Sequence, residues 1–226
     1  MFKIALSTSS DSGKPPISRE YRLLGGIAAL ILISLLSSSG GAPVQHTISN
    51  CWEGLIWGIA DPVIGLNRLA GIVAIGLLSA KFAGGIWIIG SFLLAAFCGQ
   101  LIHLCQLNVP GAEIVLAICT IVFGVILVLP TPNSRLACII ISAISAIAGL
   151  SQGYVDSQAI LGAETLTLVV YIAGVTLTQT VIVMSARKVG TIISKAAINQ
   201  MFPKTIRWIG LTFCAIGIVF LGNAVI

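Results

Sequence analysis

Asp61, Asn67 and Arg68 stand close together in an otherwise apolar run, EGLIWGIADPVIGLNRLAGIVAIGLLSA. On insertion scales an Asp or Arg near the centre of an apolar helix costs about 2.5–3.5 kcal/mol, so each needs a partner or a function. A seven-residue spacing on continuous helix puts Asp61 and Arg68 on one face, about 10 Å apart. Pro62 removes a backbone donor and breaks the turn before it, which shortens that distance. The expectation is a half-helix, a kink at Pro62, a full helix, and a pair between Asp61 and Arg68, direct or through Asn67 or a water. Two uses stay open for such a pair: an ion pair that holds helices together, or a transport or relay step.

A second set of polar residues follows later in the chain. Gln152 and Asp156 fall in the break Ser151–Ala163, and Glu113 follows Pro110-Gly111-Ala112. Thr176, Thr178, Gln179 and Thr180 lie inside an apolar run, where Gln179 must seek an interhelical partner. His103 sits near the end of another run, well around the helix from Cys98 and Cys105, so no local Cys–His site is encoded. Its expected role is hydrogen-bonded structure, with the alternative of an axial ligand to a pigment or haem brought by a larger complex. The six cysteines are scattered without a C-x-x-C pair and read as small apolar side chains. No phosphate-cradling Gly loop, HExxH or nucleophile elbow occurs, and the two histidines, His46 and His103, are isolated, so no enzyme is expected and no metal site of conventional ligands.

These residues must be positioned by membrane helices. Of 226 residues, 57% are hydrophobic and 8% charged, with a mean hydropathy of +1.08. A soluble domain carries about 25% charged residues. The composition therefore excludes an ordinary soluble globule, a disordered chain, a nucleic-acid-binding surface and a secreted disulfide scaffold. It indicates an all-α, polytopic transmembrane bundle in a lipid bilayer.

Apolar runs at 54–79, 84–107, 112–129, 135–150, 164–186 and 205–225 give six core helices over residues 43–226. Residues 1–20 read as a flexible cytoplasmic tail. Residues 21–42 fit two readings, a retained transmembrane helix or a signal peptide, because a short apolar core follows Arg19 and Arg22 and ends in small residues. If the N-terminus is cytoplasmic, every Lys and Arg except Arg68 falls on the cytoplasmic side, including Lys81, Arg135 and the basic connection 187–204. Glu53, Glu113, Asp156 and Glu164 fall opposite, as the positive-inside rule requires. Residues 187–204 read as a topology determinant that could lie along the interface. Ser142, Ala143 and Ala146, the pair Gly71 and Gly76, and the pair Gly210 and Gly217 read as close-packing faces.

The order of these features resembles the HupE/UreJ family of nickel and cobalt permeases over residues of about 54–226. That family carries His-Pro-x-x-Gly-x-Asp-His in its first core helix, and this chain reads Asp61-Pro62-Val63-Ile64-Gly65-Leu66-Asn67-Arg68. Pro62 and Gly65 match, and Asp61, Asn67 and Arg68 replace the other three. A later family signature, His-Gly-x-Ala-His-Gly, reads Gln152-Gly153-Tyr154-Val155-Asp156-Ser157. The stretch Pro110 to Glu113 is similar to the family's entry into its third helix. The resemblance implies a six-helix fold with metal-site positions at Asp61, Asn67, Arg68, Gln152 and Asp156, supported by Pro62, Gly65 and Glu113. Nickel and cobalt favour imidazole nitrogen, and every matched imidazole is gone. The expectation is a non-enzymatic scaffold in a plasma or thylakoid membrane, acting as an accessory or structural subunit of a larger respiratory or photosynthetic complex. Pigment or lipid would then come from the complex, and the partners would be lipid and other membrane subunits. The alternative is a permease of altered selectivity.

Overall fold

A computed structural model describes residues 48, 50–130, 134–158, 160, 164–196 and 202–225. The tail, the segment 21–42 and His46 lie outside the described residues. Among the described residues the chain is all-α, with seven helices: α1 Cys51–Ile64, α2 Leu66–Ser79, α3 Gly85–Leu104, α4 Ala112–Val128, α5 Arg135–Ser157, α6 Thr165–Ala196 and α7 Phe202–Val225. Asn50 caps α1 by accepting from Glu53 N, and Ser134 caps α5 by accepting from Ala137 N. Gly111 opens α4 at a φ of 79°, in the left-handed region where a Cβ is penalised.

Four of the helices are long and apolar enough to cross a membrane. The bent pair α1–α2 passes the same test as one broken span. α4, with 17 residues, sits at the short end of the spanning range. Together they match the six core helices expected, with the first broken. The break, however, is at Gly65 and not at Pro62, and the two halves meet at 76°. Pro62 is accommodated in the last turn of α1. At Gly65 a Cβ would lie 2.9 Å from Cδ of Arg68 and 3.1 Å from its Nε, so glycine is set there by the arginine stem folded back over the break.

Two helix ends lie beyond the expected positions. α5 continues through Ser151 to Ser157, because Ser151, Gln152 and Asp156 turn inward and are buried among other helices. Their polarity reads as a loop only when each residue is scored alone. α6 continues to Ala196, so Arg187 and Lys188 belong to a helix and not to a connection. Residues 197–201 of that expected connection lie outside the described residues.

α2 is the central helix. Every residue from Leu69 to Ser79 is buried, as an element apolar on all sides should be. α6 contacts both halves of the broken span in turn and in the same chain direction, with Gly58 of α1 against Tyr171 and Gly174, and Gly76 of α2 against Val183 and Ala186. α3 and α5 run parallel, with Gly149 on the carbonyl of Phe92, Gly153 on that of Ala96 and Gly99 on that of Leu150. α4 and α7 run antiparallel through Gly124, Gly210 and Gly217. Gly76, Gly210 and Gly217 therefore pack as expected. On α5 the close approaches include Gly149 and Gly153, and Ser142 O accepts from Ser91 Oγ of α3. Gly71 differs, since its nearest neighbour to a Cβ is 3.6 Å away.

Lys81 and the adjoining ends of α2, α4, α5 and α6 meet at one end of the bundle. Lys81 Nζ donates to the carbonyls of Ile126 and Leu127, Gly84 lies against Cys138, and Gly190 lies against Ala80. Lys81, Arg135, Arg187 and Lys188 therefore share an end, opposite the one that carries Glu53, Glu113 and Asp156, while Arg68 lies with Asp156.

Candidate functional site

Four helices, α1, α2, α5 and α6, bring one polar cluster together inside an apolar bundle. Arg68 from the first turn of α2 reaches Asp156 in the last turn of α5, with Nη1 3.2 Å from Oδ1. The Asp156 side chain is fully buried and that of Arg68 is 14% exposed. The second carboxylate oxygen, Oδ2, accepts from Gln179 Nε2 of α6 at 2.9 Å. Both oxygens of Asp156 thus have charged or amide donors, as a buried carboxylate requires.

Asp61 of α1 lies on the other side of a bridging tyrosine. Tyr171 Oη of α6 is 2.6 Å from Asp61 Oδ2 and 2.8 Å from the main-chain oxygen of Asp156. Its one proton faces two acceptors, which ties α1, α5 and α6 at one point. The close crossing at Gly58 makes this possible: a Cβ there would lie 2.5 Å from the carbonyl oxygen of Tyr171. The absent side chain lets α6 approach until the phenol reaches Asp61.

The direct form of the expected pairing is therefore corrected. The ion pair of Arg68 is made with Asp156, 88 residues away, and Asp61 accepts from Tyr171. The bend at Gly65 explains the change, since it breaks the helical register that would have held residues 61 and 68 on one face. Asp156 is also not on a watery outer face, as its loop position had suggested; it is enclosed. Gln179 behaves as interhelical glue, as its position indicated. Tyr171 is the residue that sequence reasoning missed. Its signal was a hydroxyl in the middle of the apolar run LTLVVYIAGV, where a buried phenol must find a partner.

The remaining candidates take other places. Gln152 is one turn before Asp156 on α5, buried, with neither amide atom hydrogen-bonded to protein. Asn67 is buried with Oδ1 in the same state, and so is Gln100 of α3 with both amide atoms. Glu113 is in the first turn of α4, beside a depression of about 270 Å³ lined with Asn108, Pro110 and Gln158, and takes no part in the cluster's hydrogen bonds. His103 packs edge-on against Tyr154, with ring centroids 5.1 Å apart. Cys119 is buried, while Cys98 and Cys105 are exposed on the bundle surface, and all six thiols are free. Among the described residues no group of three His, Cys, Asp or Glu side chains could hold a metal ion.

Fold and cluster together define an integral membrane helical bundle with an enclosed ion-pair network between its helices. Residues 31–220 match the HupE / UreJ protein family. The chain belongs to that family. No curated protein and no solved structure matches it.

Proposed function

We propose that this chain is a HupE/UreJ-family scaffold that does not carry nickel or cobalt and serves as an accessory or structural subunit of a larger membrane assembly, with its basic end in the cytoplasm. The observation that carries the reading is the Arg68–Asp156 pair. The resemblance puts imidazole ligands at positions 61, 68, 152 and 156. Arg68 now fills one of them with a permanent cation, and its bond to Asp156 cancels the charge that would draw a metal ion. A divalent ion about 5 Å from the guanidinium would be opposed by roughly 7 kcal/mol at an effective dielectric of about 20. Gln179 occupies the other oxygen of Asp156 and Tyr171 occupies Asp61, so a metal would have to displace made hydrogen bonds.

The subunit role is supported by the retention of a tightly packed glycine-lined bundle around a cluster whose two carboxylates are already hydrogen-bonded. The placement of Lys81, Arg135 and Arg187 at one end supports the orientation. No catalytic chemistry is assigned. The test is mass spectrometry of the native particle released in mild detergent. Co-migration with other membrane subunits in fixed stoichiometry is expected. A lone chain or homo-oligomer that takes up cobalt or nickel saturably overturns the reading.

A further inference from the structure

Gln152 is fully buried, and neither its Nε2 nor its Oε1 has a protein partner. It points toward Gly71 of α2, where a Cβ would stand 3.9 Å from Gln152 Oε1 and 3.6 Å from Thr120 Oγ1 of α4. Among the described residues nothing else outside the glycine's own stretch of α2 comes within 4 Å of that position, so the missing side chain leaves a Cβ-sized space beside the two polar atoms. Asn67, one turn earlier on α2, is 6% exposed and its Oδ1 is also without a partner. Thr120 is fully buried and donates its proton to Leu116 O, which leaves its oxygen free to accept.

An unpartnered amide in an apolar interior costs about 1–3 kcal/mol; Gln152 and Thr120 face one gap across Gly71, and Asn67 stands one turn along α2 from that glycine. We propose that Gln152, Asn67 and Thr120 form a binding site, roofed by Gly71, for a small neutral molecule that both donates and accepts hydrogen bonds, with water as its occupant. The atom types select this chemistry. A bare cation would satisfy Oε1, Oδ1 and Oγ1 and leave Nε2 of Gln152 stranded. An anion would face three oxygens. A water donates to two of these oxygens and accepts a hydrogen bond from Nε2–H, and two to four polar partners are what a buried water needs. The site lies one helical turn from Asp156 and extends the polar layer inward from the ion pair. It stands apart from the closed-site reading, because dry amides would leave the ion pair intact.

Crystals of the full chain grown from a lipid mesophase, at a resolution that shows ordered water, test this directly. Density is expected within about 3.2 Å of the Gln152 amide; amides packed dry overturn the proposal. Thermal unfolding in detergent gives a second reading with opposite signs. If the amide holds a ligand, Gln152→Leu lowers the midpoint by several degrees. If the amide is dry, the same substitution raises it. Titration of the wild type with formamide and with glycerol separates water from a neutral solute: a saturable rise in midpoint, lost in Gln152→Leu, assigns the site to the solute and keeps its chemistry. A saturable rise with sodium or nickel chloride, absent with choline chloride and lost in Gln152→Leu, makes the site cationic and overturns the proposal.

Discussion

Arg68 Nη1 and Asp156 Oδ1 meet at 3.2 Å, joining the first turn of the central helix to the last turn of α5. Removing one member of a buried pair leaves the other uncompensated, at a cost of about 3–5 kcal/mol. Arg68→Met and Asp156→Leu are each expected to destabilise by about that amount in thermal or denaturant unfolding of the detergent-solubilised chain. The double variant should recover part of the loss, since two apolar groups need no partner, while Gln179 Nε2 still lacks its acceptor. An additive double variant would show that the two side chains do not act on one another.

Tyr171→Phe removes the hydroxyl between Asp61 Oδ2 and the main-chain oxygen of Asp156. The expected loss is about 1–3 kcal/mol, read as a lowered unfolding midpoint with unchanged helical content. In the Asp61→Leu background the same change should cost less, because one of the hydroxyl's two acceptors is already gone.

Gly58 and Gly90 make a matched test of close packing. A Cβ on Gly58 meets the carbonyl oxygen of Tyr171 at 2.5 Å, whereas one on Gly90 meets nothing within 4 Å. Gly58→Ala should therefore force α1 from α6 and destabilise by about 1–3 kcal/mol. Gly90→Ala should be neutral, or stabilise by up to about 1 kcal/mol through helix propensity. Both are read in the same unfolding assay.

Gly65→Val tests the link between the break and the ion pair. The added side chain would occupy the space taken by Cδ and Nε of Arg68. The arginine is expected to be displaced, so Gly65→Val should cost several kcal/mol in the wild type. It should cost markedly less in an Arg68→Met/Asp156→Leu background, as a double-mutant cycle would report.

The architecture was legible in the sequence because apolar runs and the distribution of Lys and Arg are local or additive signals. A broken first span was expected from Pro62 and the charges around it, but the break itself lies at Gly65. The pairing was not legible. Asp61 and Arg68 are neighbours in sequence, but their relative orientation depends on a 76° bend at Gly65 that no local pattern encodes. Asp156 was misplaced for a related reason: the stretch from Ser151 to Ser157 is polar enough to read as a loop, yet its polarity is satisfied inside the bundle by residues from other helices. Tyr171 carries the central bridge and left only the faint mark of one phenol in an apolar helix.

The most direct measurement of the central claim is uptake of radiolabelled nickel and cobalt into proteoliposomes holding the purified wild-type chain, with protein-free vesicles as the reference. With Arg68 bonded to Asp156 across the site, uptake should equal that of the empty vesicles at every metal concentration. Saturable uptake that disappears on Asp156→Leu would contradict the account.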